Sequence, residues 1–165
     1  MSSAGRLEMK MDVNGEIVEL SEILRAIRGG EEMTWLIIDL WALQDPHATL
    51  PVSDIEDKIE KSPHGLRLTW SELENISDQL AQCVDCELLG FETKKPSKES
   101  PDIKIVGFDG TRWIIDFRNV DHVKFEEFEK LTAGWSAGIF EKYDSYRDIP
   151  PRFASLVTPE ILDGK

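Results

Sequence analysis

At 165 residues the chain is long enough for one ordinary domain, and a chain of this size hides roughly 70% of its unfolded surface on folding. Its 19 basic and 32 acidic residues leave a formal charge of −13, a field that repels nucleic acid and anionic membrane and attracts cationic surfaces. Apolar residues at 41%, with five Trp and seven Phe, exclude a disordered chain, and no run of about 18 apolar residues is present to span a membrane.

Residues 1–8 read as a disordered leader without an apolar signal core, which predicts a cytoplasmic chain. A single domain is expected over 9–142, followed by an irregular tail over 143–165 packed on it. The stretch "MKMDVNGEIVEL" (9–20) alternates around Asn14-Gly15, a dipeptide suited to a tight hairpin turn. Ser21 can cap a helix over 22–27, with Ile23, Leu24 and Ile27 at three and four spacing and Gly29-Gly30 as its stop. "TWLIIDLWAL" (34–43) is β-branched and aromatic, so it reads as a central strand. Strict alternation places Trp35, Ile37, Asp39 and Trp41 on one face and Leu36, Ile38, Leu40 and Ala42 on the other. A loop over 44–53 leads to a short acidic helix (54–61) with Ile55 and Ile59 inward.

"TWSE" supplies Thr69 as cap and Glu72 three residues on, a capping box that starts a helix at Trp70. Trp70, Leu73, Ile76, Ser77, Leu80 and Val84 continue its stripe, which leaves Glu72, Glu74, Asp78 and Gln79 outside. "CELLGFE" (86–92) and a polar loop (93–101) precede "DIKIVGFDGTRWIIDF" (102–117), whose Asp109-Gly110 marks a second hairpin. A helix over 124–131 presents Phe125, Phe128 and Leu131 on one side. Strands and helices do not alternate as a doubly wound sheet requires. The expected class is therefore α+β, with a small, mainly antiparallel sheet packed with three to four helices.

The two cysteines, Cys83 and Cys86, have the spacing of redox and zinc pairs, but the expected helix end and the acids Asp85 and Glu87 disfavour a thiolate there. A second Cys pair is missing, and His47, His64 and His122 stand in no ligand spacing, so neither metal nor cofactor is expected. Both thiols read as core. No G-x-S-x-G, phosphate loop or calcium-binding loop can be found. Asp39, Asp85, Glu87 and Asp116, with the neighbours Asp45/His47 and Asp121/His122, are the acids and bases left for an enzyme.

What remains is recognition. Residues 31–60 carry eight acids against Lys58 alone, and Asp45, Asp54, Glu56, Asp57 and Glu60 offer steering charges for a basic protein partner. Trp135, Tyr143 and Tyr146 are the aromatic anchors expected beside them. The resulting expectation is a non-enzymatic acidic binding protein, in its most concrete form an immunity protein that covers the cationic site of a toxin such as a nuclease. Its rivals are a small enzyme in which Asp39, Asp45 and His47 meet in one pocket, and a homo-oligomeric structural or adaptor protein.

Overall fold

The computed structural model describes residues 5–13, 15–92 and 101–131. In chain order these form β1 (Gly5–Lys10), β2 (Asp12–Val13), β3 (Glu16–Ile17), α1 (Leu20–Arg25), β4 (Thr34–Gln44), α2 (Val52–Glu60), β5 (Leu66–Leu68), α3 (Trp70–Ser77), β6 (Leu80–Phe91), β7 (Ile103–Phe108), β8 (Arg112–Phe117) and α4 (Phe125–Leu131). Six strands make one sheet in the order β1-β8-β7-β6-β4-β5, and every neighbouring pair is antiparallel. The α+β class and the mainly antiparallel sheet are as the sequence predicts.

Alternation explains how the sheet divides its two faces. Leu7 and Met9 of β1, Ile103 and Ile105 of β7, and Trp113, Ile115 and Phe117 of β8 point to one side and are buried. They join Ile23 and Leu24 of α1, Ile55 and Ile59 of α2, Leu73 and Ile76 of α3, and Phe125 and Phe128 of α4 in a single core cluster. All four helices therefore cover the same face. The indole N–H of Trp113 donates to the Val18 carbonyl at 2.9 Å, which ties β8 to the segment before α1. On the opposite face, the odd-even partners are charged: Arg6 Nε donates to Asp116 at 2.6 Å, and Lys104 pairs with Glu87 at 3.2 Å. A smaller cluster of Leu36, Leu89 and Phe91, with Ile38 against it, lies on that face at the β4–β6 pair.

The Asp109-Gly110 hairpin forms as predicted, with φ of 52° and 64° at its two central residues. Helix α3 begins at Trp70 under the expected capping box: Glu72 N–H donates to Thr69 Oγ1 at 3.2 Å and Thr69 N–H to Glu72 at 3.0 Å. Gly15, at φ 83°, turns between β2 and β3, while Asn14 lies outside the described residues.

Three expectations are corrected. The leader expected over residues 1–8 is corrected at Gly5 to Glu8, which belong to β1 and pair with β8 from Gly5↔Phe117 to Glu8↔Ile114, and residues 1–4 lie outside the described residues. The short Leu-Glu-Met alternation of β1 is completed by the partner strand rather than by intrinsic propensity. Helix α1 starts at Leu20 with Glu19 as its N-cap, and Glu22 accepts the Glu19 N–H at 2.8 Å. Helix α3 stops at Ser77, and the stretch read as its last turns is the start of β6. Gln79, expected outside, is 6% exposed.

Gly90 of β6 stands opposite Trp35 of β4, and the Trp35 ring lies across its backbone. A Cβ at this position would be 2.9 Å from the ring and 3.2 Å from the Met33 sulfur. Since Trp35 is itself fully buried, it has nowhere to move. Gly90→Ala is therefore expected to cost about 1–3 kcal/mol through overpacking, read as a lowered midpoint in urea denaturation.

Candidate interaction surface

The phase of β4 changes partway along its length. Ile37 pairs with Leu88 and Asp39 with Glu87, so Ile38 is an extra residue in the strand. Such a bulge exchanges the two faces for everything that follows. Before it, Trp35 and Ile37 face the helices; after it, Leu40 and Ala42 do. Asp39 and Trp41 consequently face outward, which corrects the expectation that they share a face with Trp35 and Ile37.

A second irregularity lies in β6, where Trp41 pairs with Asp85 and Ala42 with Cys83, leaving Val84 over. In a regular strand, residues three apart point to opposite faces. Here Cys83 and Cys86 both point into the core, at 0% and 2% exposure. Their expected position at a helix end is corrected to a strand interior. A hydrogen bond with Cys86, and then burial, push the Cys83 thiol well above its ordinary range, so neither a thiolate nor an accessible sulfur is offered.

The outward residues form a row across four strands. Trp41 of β4 stands opposite Asp85 of β6, and Phe108 of β7 follows Gly107, the partner of Cys86. Asp85 accepts the backbone N–H of Asp109 at 2.9 Å, which ties its carboxylate to the turn that follows Phe108. Arg112 of β8, paired with Phe108, stacks its guanidinium 5.2 Å from the Phe108 ring centroid. Trp41 is 59% exposed, Phe108 48% and Leu43 53%. Neither β4 nor β6 contains a Lys or Arg, and Asp39, Asp85 and Glu87 are their outward charges. Of the cations of this face, Arg6, Lys104 and Arg112 form ion pairs with Asp116, Glu8 and Glu87, Lys10 lies at the end of β1, and Arg67 of β5 stands opposite Leu36, far along β4 from Trp41. The face is thus split into a balanced half and an acidic, aromatic half.

Helix α2 packs on the helix-covered side of β4 through its buried Val52, Ile55 and Ile59, so its acids lie on the other side of the sheet from this strip and add to it only through the long-range field. Asp54, Asp57 and Glu60 are exposed, and Glu56 is half-buried. Asp45 is half-buried in the turn after β4 and accepts the His47 backbone N–H at 2.8 Å. Burial, and then the neighbouring Glu22 and Asp45, push the Glu19 carboxyl above its ordinary range. Trp135, Tyr143 and Tyr146 lie outside the described residues.

The structure brings Asp54, Asp57 and Glu60 onto one exposed helix face but does not join Asp39 to Asp45 and His47. Asp39 points outward in the middle of β4, whereas Asp45 and His47 lie past its end, roughly 20 Å of strand away. An open cleft of about 390 Å3 lies beside β5, between Glu31, Arg67, Thr69, Trp70 and Glu72. It contains no histidine, and the side chains of Thr69 and Glu72 are engaged by the start of α3. The anchors missed by the sequence reading are Trp41, Phe108 and Leu43. Phe108 was within reach: counting forward by twos from Ile103 and Ile105 puts Gly107 inward and Phe108 outward. Trp41 required knowledge of the bulge.

The arrangement defines an open-faced antiparallel sheet with helices on one side and an aromatic, acidic strip on the other. Compared with protein-family models, curated proteins and solved structures, the chain matches none. Among the described residues, no helix is long and apolar enough to cross a membrane.

Proposed function

We propose that the protein is a non-enzymatic binding protein that captures a basic protein partner, in its most concrete form an inhibitor that covers the cationic site of a toxin such as a nuclease. The observation that carries this reading is the pair of exposed rings, Trp41 and Phe108, on either side of Asp85 in a strip whose two main strands lack any cation. Aromatic anchors beside carboxylates suit an Arg or Lys, since the stem stacks on the ring and the charge reaches the acid. The acids of α2 add long-range attraction, which speeds encounter more than it tightens the final complex. A second copy of the chain is a poor occupant, because it would set one acidic strip against another.

Affinity capture from the host organism at low salt, followed by stepwise salt elution, is the test. The expected result is one basic protein at near-equal stoichiometry. Trp41→Ala should then weaken its binding by about 30-fold or more, as loss of a hot-spot residue does. Reversal of Asp54, Asp57 and Glu60 to Lys should chiefly slow association. Retention of a partner by both variants with unchanged kinetics would place the binding surface elsewhere, and recovery of no basic protein would overturn the reading.

A further inference from the structure

Three ligand-type side chains far apart in sequence meet on the side of the molecule where β6, β7 and β8 end and begin. Glu92 follows β6, Asp102 precedes β7, and His122 closes the short 3-10 turn between β8 and α4. One ligand atom from each lies within 4.8 Å of the other two. The His122 Nε2 is 3.1 Å from a Glu92 carboxylate oxygen. Two donors bound to one cation at about 2.0–2.2 Å are themselves about 3.0–3.5 Å apart, so this pair already has the spacing of neighbouring ligands.

Asp102 and His122 are also held by backbone bonds that do not depend on the other ligands. Asp102 N–H donates to the Gly90 carbonyl at 2.8 Å, and the Asp102 carbonyl accepts the Arg118 N–H at 2.9 Å, which fixes it between β6 and the end of β8. The His122 carbonyl accepts the Arg28 N–H at 2.8 Å, its own N–H donates to Asn119 at 3.1 Å, and the adjacent Val123 bridges to Ile27. The imidazole is largely covered, at 12% exposure, while Glu92 is 60% exposed and free to swing. Asp102 accepts the Glu92 backbone N–H at 2.8 Å through one carboxylate oxygen and keeps the other available.

We propose that Glu92, Asp102 and His122 form a binding site for a divalent first-row cation, Zn2+ foremost. The donor set decides the class: an imidazole nitrogen favours transition cations over Mg2+ and Ca2+, and two carboxylates supply the charge that neutralises the ion. Three protein ligands leave one position for water or for a group from a partner. The bound ion ties the end of β6 and the start of β7 to the β8–α4 junction. No sequence spacing announces the site, because its ligands come from the two ends of the β6–β7 connection and from the separate β8–α4 connection.

The test is to treat the full chain with a chelator and titrate it with Zn2+ at about 0.15 M salt, with excess Mg2+ present to occupy indifferent acidic groups. Calorimetry should give one saturable site, and the side-chain 15N resonances of His122 should shift while those of the exposed His47 and His64 stay put. Glu92→Gln, at an exposed position that cannot endanger the core, and His122→Ala should each weaken binding tenfold or more. Absence of a saturable site, a shift at His47 or His64 in place of His122, or unchanged affinity in Glu92→Gln would overturn the assignment.

Discussion

Trp35→Ala is expected to destabilise the fold by about 3–5 kcal/mol, the range for truncating a fully buried aromatic side chain. Trp35 is 0% exposed, its ring centroid lies 5.5 Å from that of Trp70, and its indole N–H donates to the Gly30 carbonyl at 2.9 Å. Truncation would remove the ring that covers Gly90 and leave the buried Gly30 oxygen with the Met33 N–H, at 3.1 Å, as its remaining donor. Trp35→Phe keeps most of the ring and loses only the N–H, so a smaller loss of about 1–3 kcal/mol should follow. Trp41→Ala, six residues along the same strand, should change stability by no more than about 0.5 kcal/mol, because that ring is mostly in solvent. Urea denaturation followed by circular dichroism measures all three. Equal losses at Trp35 and Trp41 would contradict the change of phase at Ile38.

The second large effect is expected at Gln79, a buried polar side chain at the junction of α3 and β6. Its Oε1 accepts the N–H of Thr49 at 2.7 Å, the N–H of Leu50 at 3.1 Å and the Thr49 hydroxyl at 3.3 Å, and its Nε2 donates to the Asn75 carbonyl at 3.2 Å. One amide therefore stands in for the backbone partner that the loop between β4 and α2 would otherwise need. Gln79→Ala should cost about 1–3 kcal/mol through the groups left unpaired. It should also speed amide hydrogen exchange at Thr49 and Leu50 more than at core strands such as β7. Protection at those two amides equal to that of the wild type would show that the loop is held by something else.

Much of the architecture was legible because local and tertiary preferences agree in the chain. Asp109-Gly110 has the only residue types that sit comfortably at two successive positive φ angles, and Thr69 with Glu72 can satisfy each other's amides before any tertiary contact exists. The misread parts are those where pairing with another strand decides. Leu80 and Val84 fit a helical stripe as well as a strand, and only the position of Leu80–Phe91 between β4 and β7 selects the strand. The polar Arg6-Leu7-Glu8-Met9 segment becomes a strand because β8 presents an unpaired edge to it. The acids of α2 were legible as a solvent face, since Ile55 and Ile59 fix the opposite one. Trp41 was not, because a single uncounted residue reverses the sense of the alternation. The Glu92–Asp102–His122 group was beyond reach for another reason: both ends of one connection meet a second, and proximity between loops leaves no period in the sequence.

The extra residue at Ile38 has a genetic consequence. Substitutions at 39, 41 and 43 change only what the surface offers, so this strip can diversify freely while the fold persists. Loss of the codon at position 38 would only remove the bulge, leaving Asp39 and Trp41 outward and Leu40 inward, whereas loss of one codon within 39–43 would turn the residues after it inside out. The strand should therefore accept many replacements across related genes and tolerate loss of the bulge residue, while its length beyond position 38 stays constant, a signature of a surface able to follow a changing partner without rebuilding the scaffold beneath it.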